Sequence, residues 1–283
     1  MTKVSIILRS YNDIAYIRQT MDMISIQKDV SFEVINVDCS STDGTFEVIN
    51  EYEVSSYQIQ AADYIPGKVL NEAIKRSNGQ IIVFNNSDCI PQDENWLANL
   101  IAPLNELKCG AVFARQVSRN DARPLVVKDM ERAFGDGNFS KKWNHFFSLA
   151  SSATRRDVIE QIQFNDKIQY SEDILWSREL VNNGYYFEYV PTAIVEHSHN
   201  YSLIDVHKRF LNEGIADYTI WARKPSFFSG FVIPCLAEIV RDNIYLLKTL
   251  HVTHIPYGVA YRFLQRYSHY QGLLSARRSD EEN

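Results

Sequence analysis

Three short apolar runs, each breaking off into a polar cluster, constrain this chain more than any other feature. Val4–Leu8 runs into Arg9-Ser10-Tyr11-Asn12-Asp13, Phe32–Val37 into Asp38 and the turn Ser40-Ser41-Thr42-Asp43-Gly44-Thr45, and Gln80–Phe84 into Asn85-Asn86-Ser87-Asp88. Runs of this length read as buried strands. Helical spacing separates them. Ile14, Ile17, Met21 and Ile24 mark a helix over Ile14–Gln27 with Asn12 or Asp13 as its N-cap; a second helix opens at the Ser40 turn and reaches about Tyr52; a third covers Val69–Arg76 and stops at Asn78-Gly79. Alternating strands and helices with short connections imply parallel pairing in a doubly wound α/β sheet. Ligands in such sheets bind beyond the carboxyl ends of the strands, so the three polar clusters are expected to share one cleft.

Further along, Ala111–Gln116 and Tyr185–Val195 read as strands and Ser171–Asn182 as a helix with Gly184 at its stop. The stretch Val117–Phe147 has weak periodicity and holds Gly135-Asp136-Gly137, which reads as a mobile or acceptor-side segment. From Tyr201 the composition changes: Phe227–Val232 is strongly apolar, Leu236–Leu250 is amphipathic and helical, and Ser275–Asn283 is polar and expected to fray. The expected division is therefore a catalytic domain over 1–200 and a helical region over 201–283.

With 45% apolar residues, the 283-residue chain can bury a substantial core, which excludes a disordered chain. A net charge of −6 excludes a nucleic-acid binder relying on a general basic field. The acid lies in the first 200 residues, with 27 Asp+Glu against 19 Lys+Arg, a balance suited to metal chemistry rather than to naked phosphate. Cys39, Cys89, Cys109 and Cys235 show no metal or disulfide spacing and read as reduced thiols of a cytosolic protein. The N-terminus does not read as a signal peptide, and no apolar run is long enough to span a bilayer.

The polar clusters then acquire chemistry. Asp88, at a strand end, is placed to hold Mg²⁺ or Mn²⁺ bridging two phosphates, against the plainer reading of a solvated loop carboxylate. Asp38 can accept from a pyrimidine N–H or a ribose hydroxyl; its plainer reading is an Asx-turn, which Asp43 fits better. Glu172 and Asp173 open a helix, where ionised carboxylates are favoured. They point in different directions, so Asp173 is assigned as the base that takes the acceptor's proton and Glu172 as an acceptor or helix-start contact. Arg178, five residues beyond Asp173, is placed to meet a carboxylate or phosphate. His197 and His199 flank one residue after a strand, and His197 is the preferred metal or diphosphate ligand.

Taken in order, VSIILRSYND, FEVINVDCSSTDGT, VLNEAIKRSNGQIIVFNNSDCIPQDENWL, FARQ, YSEDILWSREL and VPTAIVEHSHNYS resemble family 2 glycosyltransferases of the GT-A fold, in the bacterial rhamnosyltransferase-like branch. The resemblance implies a doubly wound, mostly parallel sheet flanked by helices, with a C-terminal helical extension. It implies an inverting transferase that uses a divalent cation (Mn²⁺ or Mg²⁺) and a dTDP-, UDP- or GDP-sugar, and adds the sugar to a glycan or lipid-linked acceptor. Arg9, Ser10, Tyr11 and Asp38 would line the nucleotide pocket, and Lys68 and Asn71 would lie near donor phosphate or ribose. Asn86-Ser87-Asp88 stands at the D-x-D position with Asn86 replacing the first acid, which leaves Asp88 as the carboxylate ligand. Asp173 matches the catalytic base and Arg178 a basic position after it; Glu172 and Trp176 fall on the acceptor side, and His197 matches a metal-ligand histidine of some relatives. Lipid-linked acceptors would suit Phe227–Val232 and its following helix as an interfacial segment on the cytoplasmic face of the inner membrane; the plainer readings are a helical cap or a homodimer contact. Two other classes stay open. A nucleotidyltransferase would need a glycine-bearing phosphate loop after the first strand, which Arg9-Ser10-Tyr11-Asn12 lacks. A non-catalytic sugar-binding subunit would have no need of Asp88 and Asp173.

Overall fold

A computed structural model describes residues 3–138 and 146–282. Its strands are β1 (Val4–Ser10), β2 (Phe32–Asp38), β3 (Ser55–Gln58), β4 (Ile81–Asn86), β5 (Ile90–Pro91), β6 (Cys109–Val117), β7 (Ser151–Arg155) and β8 (Tyr186–Glu196). They form one sheet in the order β3-β2-β1-β4-β7-β6-β8-β5. β1 pairs in parallel with β2 and β4, β2 with β3, and β6 with β8, whereas β7 runs antiparallel to β4 and β6, and β5 to β8. Only β5 and β7 therefore oppose the common direction.

Period-two alternation decides which helices cover which face. Val4, Ile6 and Leu8 of β1 join one core with Ile17, Met21 and Ile24 of α1 (Ile17–Ser25), Ile49 of α2 (Thr45–Ile49), and Trp96, Leu97 and Leu100 of α4 (Trp96–Ile101). Ile7 of β1 turns to the other core. There it meets Leu70, Ala73 and Ile74 of α3 (Pro66–Arg76), Val158 and Ile159 of α6 (Arg156–Gln161), and Trp176 and Leu180 of α7 (Glu172–Asn182). α5 (Pro124–Phe134) lies in the stretch expected to be mobile; the rest of that expectation includes residues 139–145, which lie outside the described residues. Neither Asn12 nor Asp13 caps α1: Tyr16 occupies the N-cap, and both side chains are spent on neighbouring loops.

The chain separates into two compact units, Met1–Arg119 with Met130–Ser198, and Asn120–Asp129 with His199–Asn283. The second unit holds α8 (Leu203–Trp221), a π-helical turn over Phe227–Val232, α9 (Ile233–Lys248) and α10 (Ile255–Glu282). Residues 120–129 join it through charge: Arg262 pairs with Asp129 and Asp242, Lys128 with Asp242, and Arg123 donates to the Tyr257 hydroxyl at 2.6 Å. The expected fraying from Ser275 is corrected. Residues 275–282 continue α10, held by the Arg277–Glu281 pair and by the Tyr218 hydroxyl on Asp280.

α8 and α10 touch through glycines. A Cβ on Gly214 would lie 2.2 Å from the His269 carbonyl oxygen, and one on Gly272 2.1 Å from that of Leu211. Gly214→Ala must push the helices apart and should cost about 1–3 kcal/mol. The expected result is a clearly lower melting temperature; an unchanged one would show that the crossing can relax freely.

Candidate functional site

Because β2, β1 and β4 are parallel neighbours, their polar tails emerge at one edge. The register sets Ser10 beside Asp38 and Arg9 beside Asn86. From there the two sides of β1 diverge in character.

On the β2 side, Asp38 is fully buried and its four acceptor directions are filled. Oδ1 accepts from the Ser41 amide (2.8 Å) and Gln58 Nε2 (3.0 Å), and Oδ2 from the hydroxyls of Ser10 (2.8 Å) and Ser41 (2.6 Å). Asp38 thus holds the following turn in shape, and Ser10, itself buried, is committed to it. Both were expected to line a nucleotide pocket; here their side chains engage each other and the turn that follows β2. Tyr11, by contrast, is exposed just beyond the strand.

On the β4 side, Arg9 gathers three chain segments. It donates to Glu172 Oε1 (3.0 Å), Asn86 Oδ1 (3.2 Å) and the Tyr64 hydroxyl (3.5 Å). Burial works against its charge, but Tyr64 and Glu172 outweigh this and raise its pKa. Asn86, which replaces the first acid of the D-x-D position, is thereby the partner of a partly buried arginine.

Two residues on, Asp88 is almost fully buried, and its Oδ2 lies 3.6 Å from His197 Nε2 and 3.3 Å from Arg119 Nη2. Arg119 also donates to the carbonyls of Asp88 and Ser198, and its guanidinium sits 3.8 Å from the Tyr16 ring centre. The Gln116 amide nitrogen donates to Ser148 (2.8 Å), which turns its oxygen toward His197 Nδ1 at 2.8 Å. That contact needs the proton on Nδ1, so that in the neutral ring Nε2, on the Asp88 side, carries the lone pair through which imidazole binds a metal. Ligand atoms of Asp88, Cys89 and His197 lie within 4.8 Å of one another. Burial, with Asp88 adjacent, pushes the Cys89 thiol well above its usual range, so it stays protonated and is a poor ligand. Asp13 also belongs here. It accepts from the Ser87 hydroxyl, and burial together with nearby Asp88 raises its carboxyl.

At the head of α7, Asp173 Oδ1 accepts from the Ile174 amide (2.8 Å) and Oδ2 from that of Leu149 (3.5 Å). Burial, then the charge of Glu172, push its pKa up to about 7, against the pull of these amides and of Arg9. Asp173 and Asp88 are joined twice: through Glu172–Arg9–Asn86, and through the adjacent residues Leu149 and Ala150, the latter accepting from the Asn86 amide (2.9 Å). Asn12, Ser40 and Ser171, in three of the loops at this edge, have left-handed backbone with φ of 54°, 56° and 59°. Such strain in non-glycine residues gathers where a site dictates loop shape.

Other expectations fare unevenly. Lys68 is exposed on α3. Asn71, expected near donor phosphate or ribose, donates its amide to the Phe164 carbonyl (2.8 Å) and accepts from the Phe164 amide (3.1 Å). Trp176 is no acceptor contact: it is 2% exposed, packs between Phe147 and Phe164, and donates its indole N–H to Ile162 (2.6 Å). Arg178 is half-buried mid-helix, and His199 stacks on the Tyr201 ring. Sequence reasoning gave Asp13 only a helix cap, and Gln116 and Arg119 no site role. For Gln116 and Arg119 the one available signal was position at and just beyond the end of β6.

The chain belongs to Glycosyl transferase family 2, whose profile matches residues 5–163, and lies in its bacterial rhamnosyltransferase-like branch. It is 25% identical over 225 residues to the O-antigen chain rhamnosyltransferase RfbN of Salmonella typhimurium, covering 75% of this chain and 72% of the relative. It is 27% identical over 194 residues to the O-antigen chain rhamnosyltransferase WbaN of Salmonella anatum, covering 65% and 62%. Among solved structures, the mannosyltransferase PcManGT from Pyrobaculum calidifontis, in complex with GDP-Man and Mn²⁺, superposes with a TM-score of 0.62 at 19% identity, over 99% of this chain and 75% of that one. The shared architecture is GT-A, and the protein is a glycosyltransferase.

The raised pKa of Asp173 has a consequence for stability. The folded state keeps this proton at pH values where the unfolded chain has released it. The stabilisation is full below about pH 4 and is lost as pH rises to about 7. Asp173→Asn has no such loss, so its melting temperature should gain on the wild type between about pH 4 and 7 and hold that gain above. A pH-independent difference would contradict the shift.

Proposed function

We propose that the chain is an inverting, cation-dependent glycosyltransferase that moves a sugar from a nucleoside-diphosphate donor to a hydroxyl of a glycan or lipid-linked acceptor in bacterial surface polysaccharide synthesis. One observation carries this reading: the Asp88–His197 carboxylate–imidazole pair and the Asp173 carboxyl stand at the same sheet edge, with Arg9 donating to their neighbours Asn86 and Glu172. The similarity to two O-antigen rhamnosyltransferases favours a rhamnosyl donor, and the manganese in a GT-A relative supports a divalent cation.

Asp88 and His197 fit such a cation, because a carboxylate oxygen and an imidazole nitrogen, both ligand atoms for Mn²⁺, stand 3.6 Å apart. A bound Mn²⁺ or Mg²⁺ would supply positive charge for the departing diphosphate. Arg119 holds Asp88 through its Oδ2 and its backbone carbonyl, and Gln116 fixes the proton on His197 Nδ1. Asp173, ionised, takes the acceptor hydroxyl's proton as the oxygen attacks the anomeric carbon on the face opposite the diphosphate. Glu172 and Arg9 set the direction of that helix start.

Asp173→Asn should lower transfer by about 10²–10⁴-fold while donor binding stays nearly intact; full activity would remove it as the base. The wild-type rate should rise with pH through about 7 as Asp173 ionises, a limb that a flat profile would rule out. Asp88→Ala should abolish the metal-dependent part of the donor-induced thermal shift in a screen of dTDP, UDP and GDP with and without Mn²⁺. Release of pyrophosphate from a nucleoside triphosphate would point instead to a nucleotidyltransferase.

A further inference from the structure

α9 is built inside out. Its inward stripe is Cys235, Glu238, Asp242 and Leu246, all buried, with Glu238 paired to Arg266 and Asp242 to Arg262 and Lys128. Its outward stripe is Ile233, Leu236, Val240, Ile244 and Leu247, each 48–62% exposed. The outward spacing of three, four, four and three residues keeps these side chains on one face for about 21 Å. The stripe continues at both helix ends, where Phe228 is 69% and Leu250 86% exposed. A helix of a water-soluble domain normally puts these residues inward; a continuous outward apolar face marks an interaction surface.

Charge selects the partner. Between Arg223 and His254 the only acids are Glu238 and Asp242, and both are buried against arginines. The exposed charges of that stretch, Arg223, Lys224, Arg241 and Lys248, are all cationic. In a two-fold dimer built on this face the cationic rims would meet each other, since the same patch serves both copies. No helix among the described residues is long and apolar enough to cross a membrane. We propose that the outward face of α9 lies in the interface of an anionic phospholipid bilayer, with its apolar stripe among the acyl chains and Lys224 and Lys248 at the headgroups.

The test is co-sedimentation of the full-length protein with phosphatidylcholine vesicles, with or without a third of the lipid as phosphatidylglycerol. The wild type should bind the mixed vesicles and bind the neutral ones far less. Leu236→Gln/Val240→Gln should weaken binding to mixed vesicles by at least about tenfold, and Lys224→Glu/Lys248→Glu should remove the preference for anionic lipid. Both substitute exposed helix or loop positions, and circular dichroism with thermal melts confirms that each variant folds. Absence of wild-type binding, or equal binding by wild type and both variants, would overturn the proposal. So would a concentration-dependent dimer that Leu236→Gln/Val240→Gln dissolves while no vesicles are bound.

Discussion

The charge of Arg9 is the constraint on which the edge of the sheet depends. A guanidinium with only 17% of its side chain exposed, at the end of a central strand, must be matched by acceptors, because a charge shielded from water without a partner is costly. Glu172 and Asn86 provide them from α7 and β4, segments 163 and 77 residues away in sequence. The pairing orients the start of α7 and so fixes where Asp173 stands. It also gives Asn86 a physical role, as the neutral acceptor of the guanidinium nitrogen that Glu172 does not take. The replacement at the first position of the D-x-D motif therefore agrees with a clamp between two halves of the site.

A similar economy of charge shapes the second unit in the opposite sense. Arg262 and Arg266 of α10 are met by Asp129, Asp242 and Glu238. These pairs occupy the inward side of α9, which leaves its large aliphatic residues outside. Replacing one partner of such a pair would strand the other, so the network is rigid even where its net contribution to stability is small. In both units, then, ionic contacts between distant segments decide which side chains are presented outward.

How much of this was legible in the sequence follows from local pattern. β1, β2, β4, β6 and β8 announce themselves as apolar runs, and their order gives the doubly wound sheet. β7, Ser151–Arg155, has no such signal: its buried Ser152 and Thr154 are satisfied by the carbonyls of Leu149 and Gly110, contacts invisible to periodicity. The reversed strands β5 and β7 were hidden for this reason and because β5 has only two residues. Asp88, Asp173 and His197 were legible because they sit at element ends beside other polar residues. Asp38, Asn71 and Trp176 have the same local appearance, but long-range partners commit them to a turn, a backbone clamp and a core. Arg119 and Gln116 acquire meaning only once β6 lies beside β8. The inversion of α9 was invisible to amphipathicity alone, which gives a stripe but not the side it faces.

The proposed chemistry requires that Asp88 and His197 hold a cation on the donor diphosphate within reach of Asp173. The most direct measurement is anomalous diffraction from crystals grown with Mn²⁺ and a nucleoside diphosphate that raises thermal stability. This chemistry predicts a manganese peak bonded to Asp88 and His197, with the terminal phosphate on its open side and the Asp173 carboxylate facing that phosphate across a gap wide enough for a sugar. A manganese peak held elsewhere, or a diphosphate bound away from this edge of the sheet, would contradict it.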